Sequence, residues 1–160
     1  MNNAVFLSKK DIETCHELAL VIDAQEDAAG HKRRKPWKEG QVRPHFVGRL
    51  GELAVAYSLG SQYDYDPTYN KYRNDVDTWE VRSTMRHNGS LTTYNNDKSA
   101  PYVLVTLSED FHTATIRGWL PLELCNVAEH YRDEWDCYFT PQNQLNKWDP
   151  FAIRQKHKKK

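Results

Sequence analysis

The segment PYVLVTL, residues 101–107, limits the possible folds more than any other part of the chain. Successive side chains of a β-strand point to opposite faces of the sheet, and in this segment both faces are apolar. Such a strand is stable when other elements cover both faces of its sheet. The segment therefore predicts a central strand that lies between two layers of structure.

Two helices are predicted in the first third of the chain. Apolar residues recur at helical spacing after Ser8, and this helix is expected to end near Gly30. The segment HFVGRLGELAVAYSLG, residues 45–60, predicts a second helix. Glycine disfavours helices by about 1 kcal/mol relative to alanine. The presence of Gly48 and Gly51 in this helix therefore indicates that another backbone approaches it closely.

The remaining segments predict mainly strands. TWEVRST (78–84) alternates like a half-buried strand, and SLTTYN (90–95) is expected to be its hairpin partner. HTATIRGWL (112–120) predicts another strand, a helix is expected from Pro121, and CYFTPQNQL (137–145) predicts a last strand and turn. This order predicts an α+β fold with α/β layering, in which helices flank a single mixed sheet.

The composition indicates one domain in a reducing compartment. At 160 residues the chain can bury a substantial core, and we expect one domain over residues 1–150 and a basic tail over residues 151–160. Cys15, Cys125 and Cys137 are odd in number and lack the CxxC spacing of a zinc site. The N-terminus lacks the apolar stretch of a secretory signal, and no apolar run is long enough to span a membrane. We therefore expect a cytoplasmic protein without a membrane partner.

The segment NDVDTWEVRST, residues 74–84, contains the most informative group of charges. In an extended strand Glu80 and Arg82 share one face, whereas Asp75 and Asp77 have the opposite parity. The aspartates can join Glu80 only if the chain turns between Asp75 and Thr78. A surface ion pair between Glu80 and Arg82 needs no such turn and is the simpler interpretation, with a contribution of about 0–1 kcal/mol.

With a turn, the same segment is typical of a metal site. Divalent ions such as Mg²⁺ prefer carboxylate oxygens, water and substrate phosphate as ligands. A bound ion lowers the pKa of its water and neutralises charge in a phosphoryl transition state. Carboxylates beside a cation, with a further glutamate from a helix, would provide the parts for phosphodiester hydrolysis.

A strongly basic segment, HKRRKPWK (31–38), precedes the second helix, although the chain as a whole has 22 basic and 22 acidic residues. Lysine and arginine bind phosphates, and a tryptophan among them can stack on a base. An acidic centre between basic segments is consistent with a metal site flanked by phosphate-binding residues. The alternative is a solvated loop without a ligand. The predicted nucleic-acid-binding residues are Lys32, Arg33, Arg34, Lys35, Trp37 and Lys38.

Several short motifs, in this order and spacing, resemble small phage and prophage proteins related to the PD-(D/E)XK nuclease superfamily, whose core is the restriction-endonuclease-like fold. The resemblance extends from the first helix to about Trp148. The motifs that carry it are GRLGELAVA, NDVDTWEVRST, GSLTTYNNDKSAPYVLVTL, IRGWLPLELC and YFTPQNQL.

The resemblance implies a phage-encoded nuclease that hydrolyses phosphodiester bonds of nucleic acid, DNA rather than RNA, with Mg²⁺ or Mn²⁺ as cofactor. Glu52 matches the helical glutamate of the superfamily, and Glu80 matches the acid of its E-x-K motif. Asp75 matches the preceding aspartate, with Asp77 as a close competitor. The same resemblance implies a possible homodimer. Lys98, which lies beyond the expected hairpin, is a further residue that can approach the site.

Arg82 departs from the superfamily pattern because it occupies the position of the motif lysine. Arginine stays protonated, so it can hold a phosphate or orient water but cannot act as a base. Two interpretations remain open from the sequence. Arg82 is the working cation of this group of proteins, or it marks an inactive nuclease fold that binds nucleic acid or a host protein.

Overall fold

The computed structural model describes residues 3–30, 42–68 and 73–158, with side chains described up to residue 156. The basic segment predicted to bind nucleic acid, residues 32–38, lies outside the described residues. The described helices are α1 (Lys9–Ala28), α2 (Pro44–Leu59), α3 (Leu122–Cys125) and α4 (Pro150–Lys158). The strands are β1 (Ala4–Phe6), β2 (Glu80–Thr84), β3 (Leu91–Thr93), β4 (Pro101–Leu107), β5 (Thr113–Pro121), β6 (Tyr131–Arg132) and β7 (Cys137–Thr140). Short 3₁₀ turns lie at Ala128–His130 and Gln142–Gln144.

The main sheet has four strands in the order β1-β5-β4-β2. Strands β2 and β4 run parallel, whereas β4 with β5 and β5 with β1 run antiparallel. The predicted α+β class with a mixed sheet is therefore confirmed. Strand β4 has neighbours on both edges, and every residue of it after Pro101 is buried. The prediction of a central, doubly covered strand is confirmed as well.

The alternation of β4 divides the apolar interior into two cores. Val103 and Val105 point to the face that α1 and α2 cover. Tyr102 and Leu104 point to the opposite face, where they pack with Leu91 and its neighbours. Because β2 pairs in register with β4, its residues Glu80 and Arg82 share the face of Tyr102 and Leu104.

A second sheet, with three strands in the order β3-β7-β6, was not predicted. The expectation that SLTTYN is the hairpin partner of the acidic strand was wrong. Strand β2 pairs with β4, whereas β3 pairs antiparallel with β7, so that Leu91 lies opposite Thr140. Leu91 is fully buried in the second core, and this burial favours the pairing with β7 over a local hairpin.

The helix boundaries follow from local chemistry. At the start of α1, Ser8 Oγ accepts a hydrogen bond from the Asp11 backbone N–H at 3.0 Å, and Asp11 Oδ2 accepts one from the Ser8 N–H at 2.9 Å. This capping box satisfies two backbone donors that the helix leaves unpaired. At the end of α2, Gly60 has a φ of 68°, a left-handed conformation that glycine adopts without steric cost.

Helix α2 packs directly on β2 through a glycine. A Cβ atom added at Gly51 would lie 1.7 Å from Ser83 Oγ and 2.9 Å from Ser83 Cβ, so only glycine fits there. At Gly48 the nearest atom to an added Cβ would be Glu52 Oε2, at 3.9 Å. The predicted close approach therefore occurs at Gly51 and not at Gly48. This contact of Gly51 with Ser83 fixes how far Glu52, which follows Gly51 in α2, lies from strand β2.

The segment expected to be a basic tail begins inside a helix. Helix α4 starts at Pro150, and Arg154 Nη2 donates a hydrogen bond to the carbonyl oxygen of Ser58 on α2. Just before it, the buried Trp148 donates from Nε1 to Ser58 Oγ at 2.9 Å. Residues 148–154 are therefore attached to α2. Within the described residues, no helix combines the length and the apolar character needed to cross a membrane.

Candidate functional site

The acidic segment bends just before β2. The Val76 N–H donates to the Trp79 carbonyl at 3.1 Å, and the Trp79 N–H donates to the Val76 carbonyl at 2.8 Å. Between them Asp77 has a φ of 52°, a left-handed conformation that aspartate tolerates better than most residues. The strand consequently begins at Glu80 and not at Thr78. The turn that a metal site in this segment would require is present.

This bend places the carboxyl group of Asp75 beside that of Glu80. Asp75 Oδ2 accepts a hydrogen bond from the Val81 backbone N–H at 2.8 Å, which ties the carboxyl group to the beginning of β2. The carboxyl group of Glu80 lies close enough to that of Asp75 for the negative charge of Asp75 to raise the pKa of Glu80. We call Asp75 and Glu80 the acidic pair.

Asp77 does not join the acidic pair through any described contact. Its Oδ2 accepts a hydrogen bond from Ser61 Oγ at 2.7 Å, in the segment that follows α2. Asp77 thus holds the outer side of the bend against residues 60–61. Of the two aspartates between which the sequence could not choose, the structure brings Asp75 to Glu80.

Glu52 approaches the acidic pair from α2. Its side chain is only 14 % exposed, and Oε1 accepts a hydrogen bond from the Tyr63 hydroxyl at 3.3 Å. Arg49 Nη1 lies 3.8 Å from the same oxygen and donates to the Tyr63 hydroxyl oxygen at 3.1 Å. Arg49 and Tyr63 therefore position the Glu52 carboxyl group and supply one balancing positive charge.

The three acids influence one another electrostatically. Burial raises the pKa of Glu52 from 4.5 to about 8, and the negative charge of Asp75 adds to this rise, against the opposing effects of Arg49 and Tyr63. Burial also raises the pKa of Glu80 to about 7, with Asp75 as the next cause, whereas Lys98 opposes the rise. Burial and the charge of Asp75 therefore both favour the protonated forms of Glu52 and Glu80. Oxygens from all three acids do not come within 4.8 Å of one another.

Among the described residues, Lys98 is the cation that forms an ion pair with Glu80. Its Nζ lies 2.6 Å from Glu80 Oε1, a buried oxygen for which the described residues offer no other hydrogen-bond partner. The same Nζ donates to the Arg73 carbonyl oxygen at 2.6 Å. The Tyr102 hydroxyl donates to the Lys98 carbonyl at 2.9 Å and so fixes the backbone that carries the side chain.

Arg82 has a different set of neighbours. Its Nη2 lies 3.0 Å from Asp97 Oδ2, its Nε donates to the Thr92 carbonyl at 3.3 Å, and its guanidinium lies 5.0 Å from the centre of the Tyr102 ring. Burial alone would lower the pKa of Arg82, but Asp97 outweighs this effect and raises it. The contacts of Arg82 with described residues thus attach β2 to the 92–97 segment.

The donor set at the acidic pair suits a hard divalent cation. Asp75, Glu80 and Glu52 offer carboxylate oxygens, which are the ligands that Mg²⁺ and Mn²⁺ prefer. Two of the three acids have raised pKa values because their negative charges are buried together, and a bound cation would relieve this repulsion. The residues present therefore fit such an ion, with Asp75 and Glu80 as direct ligands and Glu52 at a longer distance.

Comparison of the chain with protein-family models, curated proteins and solved structures finds no match. The geometry of the site therefore carries the functional argument.

A second group of potential ligands lies between α1 and the start of α2. Ligand atoms of Asp23, Glu26 and His45 all lie within 4.8 Å of one another. Asp23 Oδ2 already contacts Arg43 Nη1 at 2.5 Å, and Glu26 Oε1 contacts His45 Nε2 at 2.9 Å. A metal ion there would have to compete with Arg43 for the buried Asp23, so this group is better explained as an ion-pair network.

One cavity lies away from the acidic pair. Its volume is about 460 Å³, and it opens between β5 and residues 142–148, where Arg117 and Lys147 are the charged lining residues. None of the acids discussed above lines it. This cavity is therefore separate from the acidic pair.

The sequence missed the residues that support the three acids. Arg49 lies three positions before Glu52 on α2, and this helical spacing is a signal for an ion pair. The contact between Tyr63 and Glu52 had no local signal, because it depends on the path of the chain after Gly60. The contact of Lys98 with Glu80 depends equally on the position of the loop that precedes β4.

Proposed function

We propose that the protein is a metal-dependent nuclease that hydrolyses phosphodiester bonds of nucleic acid. The observation that carries this proposal is the acidic pair: the Val81 N–H holds Asp75 at the start of β2, where its charge acts on Glu80. Glu52 flanks the pair on one side and Lys98 on the other. Buried acids that are held together at the cost of raised pKa values are typical of functional sites.

Asp75 and Glu80 would hold a divalent cation, Mg²⁺ or Mn²⁺, with water and substrate phosphate completing its ligands. When bound, the cation supplies charge neutralisation at the phosphate and lowers the pKa of its bound water. Glu52 would reach this ion through a water molecule. The Arg49 and Tyr63 contacts keep the Glu52 side chain directed toward the pair.

In the proposed reaction the oxygen of a water molecule forms a bond to phosphorus, and the bond from phosphorus to one ester oxygen breaks. The water gives up one proton to the solvent, and the departing oxygen receives one. This exchange requires no redox partner. The resemblance to PD-(D/E)XK nucleases supports DNA as the substrate ahead of RNA, and the basic segment 32–38 would contribute phosphate contacts.

The proposal is tested by incubating the protein with supercoiled plasmid, linear duplex, single-stranded DNA and RNA in Mg²⁺ or Mn²⁺. We expect cleavage that EDTA abolishes and that Glu80→Gln reduces by at least about 100-fold, because the amide lacks the negative charge. Glu13→Gln is the matched control, since this exposed glutamate lies on α1 and pairs with Lys9. Equal cleavage by the Glu80→Gln and Glu13→Gln variants would overturn the assignment of Glu80.

The environment of Arg82 favours one alternative, a nuclease-like protein that binds nucleic acid without cutting it. The guanidinium contacts Asp97, the Thr92 carbonyl and the Tyr102 ring, and these contacts support a structural role for Arg82. This alternative expects binding in EDTA that weakens steeply with salt, together with no cleavage under any condition above. Fluorescence anisotropy with labelled oligonucleotides measures this binding. If neither cleavage nor binding occurred, the remaining alternative would be a protein that binds a host protein.

A further inference from the structure

Arg82 and Lys98 both lie near Glu80, and they are held differently. Arg82 is held by a carboxylate, a carbonyl and an aromatic ring. Lys98 contacts the acidic pair itself, through the 2.6 Å approach of Nζ to Glu80 Oε1. Of these two side chains, Lys98 is therefore the one that directly contacts a proposed metal ligand, whereas Arg82 interacts with Asp75 through its charge.

The environment of Lys98 allows its side chain to move while its backbone stays in place. The side chain is 33 % exposed, whereas that of Glu80 is 9 % exposed. The hydrogen bond from the Tyr102 hydroxyl holds the Lys98 carbonyl, and Tyr102 itself is buried. A lysine ammonium on a flexible four-carbon stem can therefore move away from Glu80 while the Lys98 backbone stays in place, although the same Nζ also donates to the Arg73 carbonyl.

The position of the ammonium group is incompatible with a metal ion on the same oxygen. Mg²⁺ binds carboxylate oxygens at about 2.0–2.1 Å. A cation at that distance from Glu80 Oε1 would repel an ammonium group that contacts the same atom. A buried carboxylate needs a positive partner, and either the ammonium group or the metal ion can provide it.

We propose that Lys98 is an exchangeable internal counter-ion of the acidic pair, which a divalent cation displaces and which then contacts the substrate phosphate. This inference rests on the proposed function, since it assumes the same metal site. Lys98 thus compensates the charge of Glu80 before the metal binds. After metal binding it becomes the cation that contacts the substrate phosphate.

The test is a titration of the full-length protein with Mn²⁺ by isothermal calorimetry, without nucleic acid. Lys98→Met removes the competing charge but keeps the length of the side chain, so we expect Mn²⁺ to bind about 3- to 10-fold more tightly. Lys98→Arg keeps the charge and should bind Mn²⁺ within about twofold of the unmodified protein. Lys9→Met removes a lysine with an 88 % exposed side chain on α1 and serves as the control for net charge.

Weaker or unchanged Mn²⁺ binding by Lys98→Met would overturn the inference, because a purely structural lysine would loosen the site when removed. Equal tightening by Lys9→Met would overturn it as well, since the effect would then be one of net charge. If Lys98→Met does not fold, Lys98→Gln replaces it. Independently, the Lys98 ammonium resonance should shift in NMR spectra when Mg²⁺ is added, and a constant resonance would contradict displacement.

Cleavage assays separate this inference from the proposed function. We expect Lys98→Met to cleave at least about 100-fold more slowly than the unmodified protein despite its tighter Mn²⁺ binding. If the unmodified protein cleaves nothing but Lys98→Met binds Mn²⁺ more tightly, the nuclease proposal fails and the counter-ion exchange stands. If the unmodified protein cleaves and Lys98→Met binds no more tightly, the exchange fails and the nuclease proposal stands.

Discussion

Replacement of Gly51 by alanine should destabilise the protein, although alanine is the better helix residue. The added Cβ would lie 1.7 Å from Ser83 Oγ and 2.9 Å from Ser83 Cβ. Rotation of Ser83 about its Cα–Cβ bond would relieve the first contact but not the second. Helix α2 must therefore move away from β2.

The size of the effect follows from two opposing terms. Alanine in place of glycine favours the helix by about 1 kcal/mol. Overpacking of a tight interior contact costs about 1–3 kcal/mol. We expect a net loss of up to about 2 kcal/mol in the free energy of unfolding, which lowers the melting temperature by up to about 8 °C for a chain of this size.

Gly48→Ala is the matched control because it makes the same change on the same helix. Its added Cβ would meet only Glu52 Oε2, at 3.9 Å, which is an ordinary contact distance. We expect this variant to gain up to about 1 kcal/mol from helix propensity. The two variants should thus change stability in opposite directions.

Urea unfolding followed by circular dichroism measures both variants. A second replacement, Ser83→Gly, removes both clashing atoms, so it should recover part of the stability that Gly51→Ala loses. The reasoning is refuted if Gly51→Ala is as stable as Gly48→Ala, because the close approach of α2 to β2 would then be absent. Gly51→Ala should also weaken Mn²⁺ binding, since it moves Glu52 away from Asp75.

Three further predictions concern the charged residues. Because Glu52 keeps its proton up to about pH 8 when folded but only to 4.5 when unfolded, stability should fall as pH rises between these values. The amide of Glu52→Gln cannot lose a proton. In EDTA, the free energy of unfolding of this variant should therefore exceed that of the unmodified protein by an amount that grows across this window. The limit is about 5 kcal/mol at 1.36 kcal/mol per pH unit. A constant difference in urea unfolding from pH 5 to 9 would contradict the buried position of Glu52. Asp75→Asn should abolish Mn²⁺ binding by calorimetry, whereas Asp77→Asn should retain it, and the reverse order would reassign the ligand. Arg82→Lys should lower the free energy of unfolding by about 1–2 kcal/mol through lost contacts with Asp97 and Tyr102, without increasing cleavage. A gain in nuclease activity for Arg82→Lys would show that this position needs the motif lysine.

Much of the architecture could be predicted because it depends on local patterns. The central strand β4 followed from its apolar residues on both faces, and the end of α2 followed from Gly60. The short strand β1 and the pairing of β3 with β7 could not be predicted. Both are short segments whose pairing depends on distant parts of the chain, and no periodic pattern distinguishes the correct partner.

The candidate site also has features that the sequence predicted and features that it did not. Strand parity placed Glu80 and Arg82 on one face and showed that Asp75 needs a turn to reach them. The sequence did not determine whether that turn exists or which aspartate it favours. The left-handed conformation of Asp77 and the hydrogen bond from Val81 to Asp75 answer both questions.

The sequence by itself determined the chemistry that this protein can place at the start of β2: carboxylates, a nearby arginine, and a glutamate on a glycine-containing helix. These features are local, because they depend on residue identity and on the periods of strands and helices. Only the tertiary structure decided which charges meet. Lys98 contacts Glu80 although 18 positions separate them in the chain, whereas Arg82, two positions away, turns to Asp97. The physical reason is that backbone path and burial, and not distance along the chain, determine which charged groups share the same low-dielectric environment.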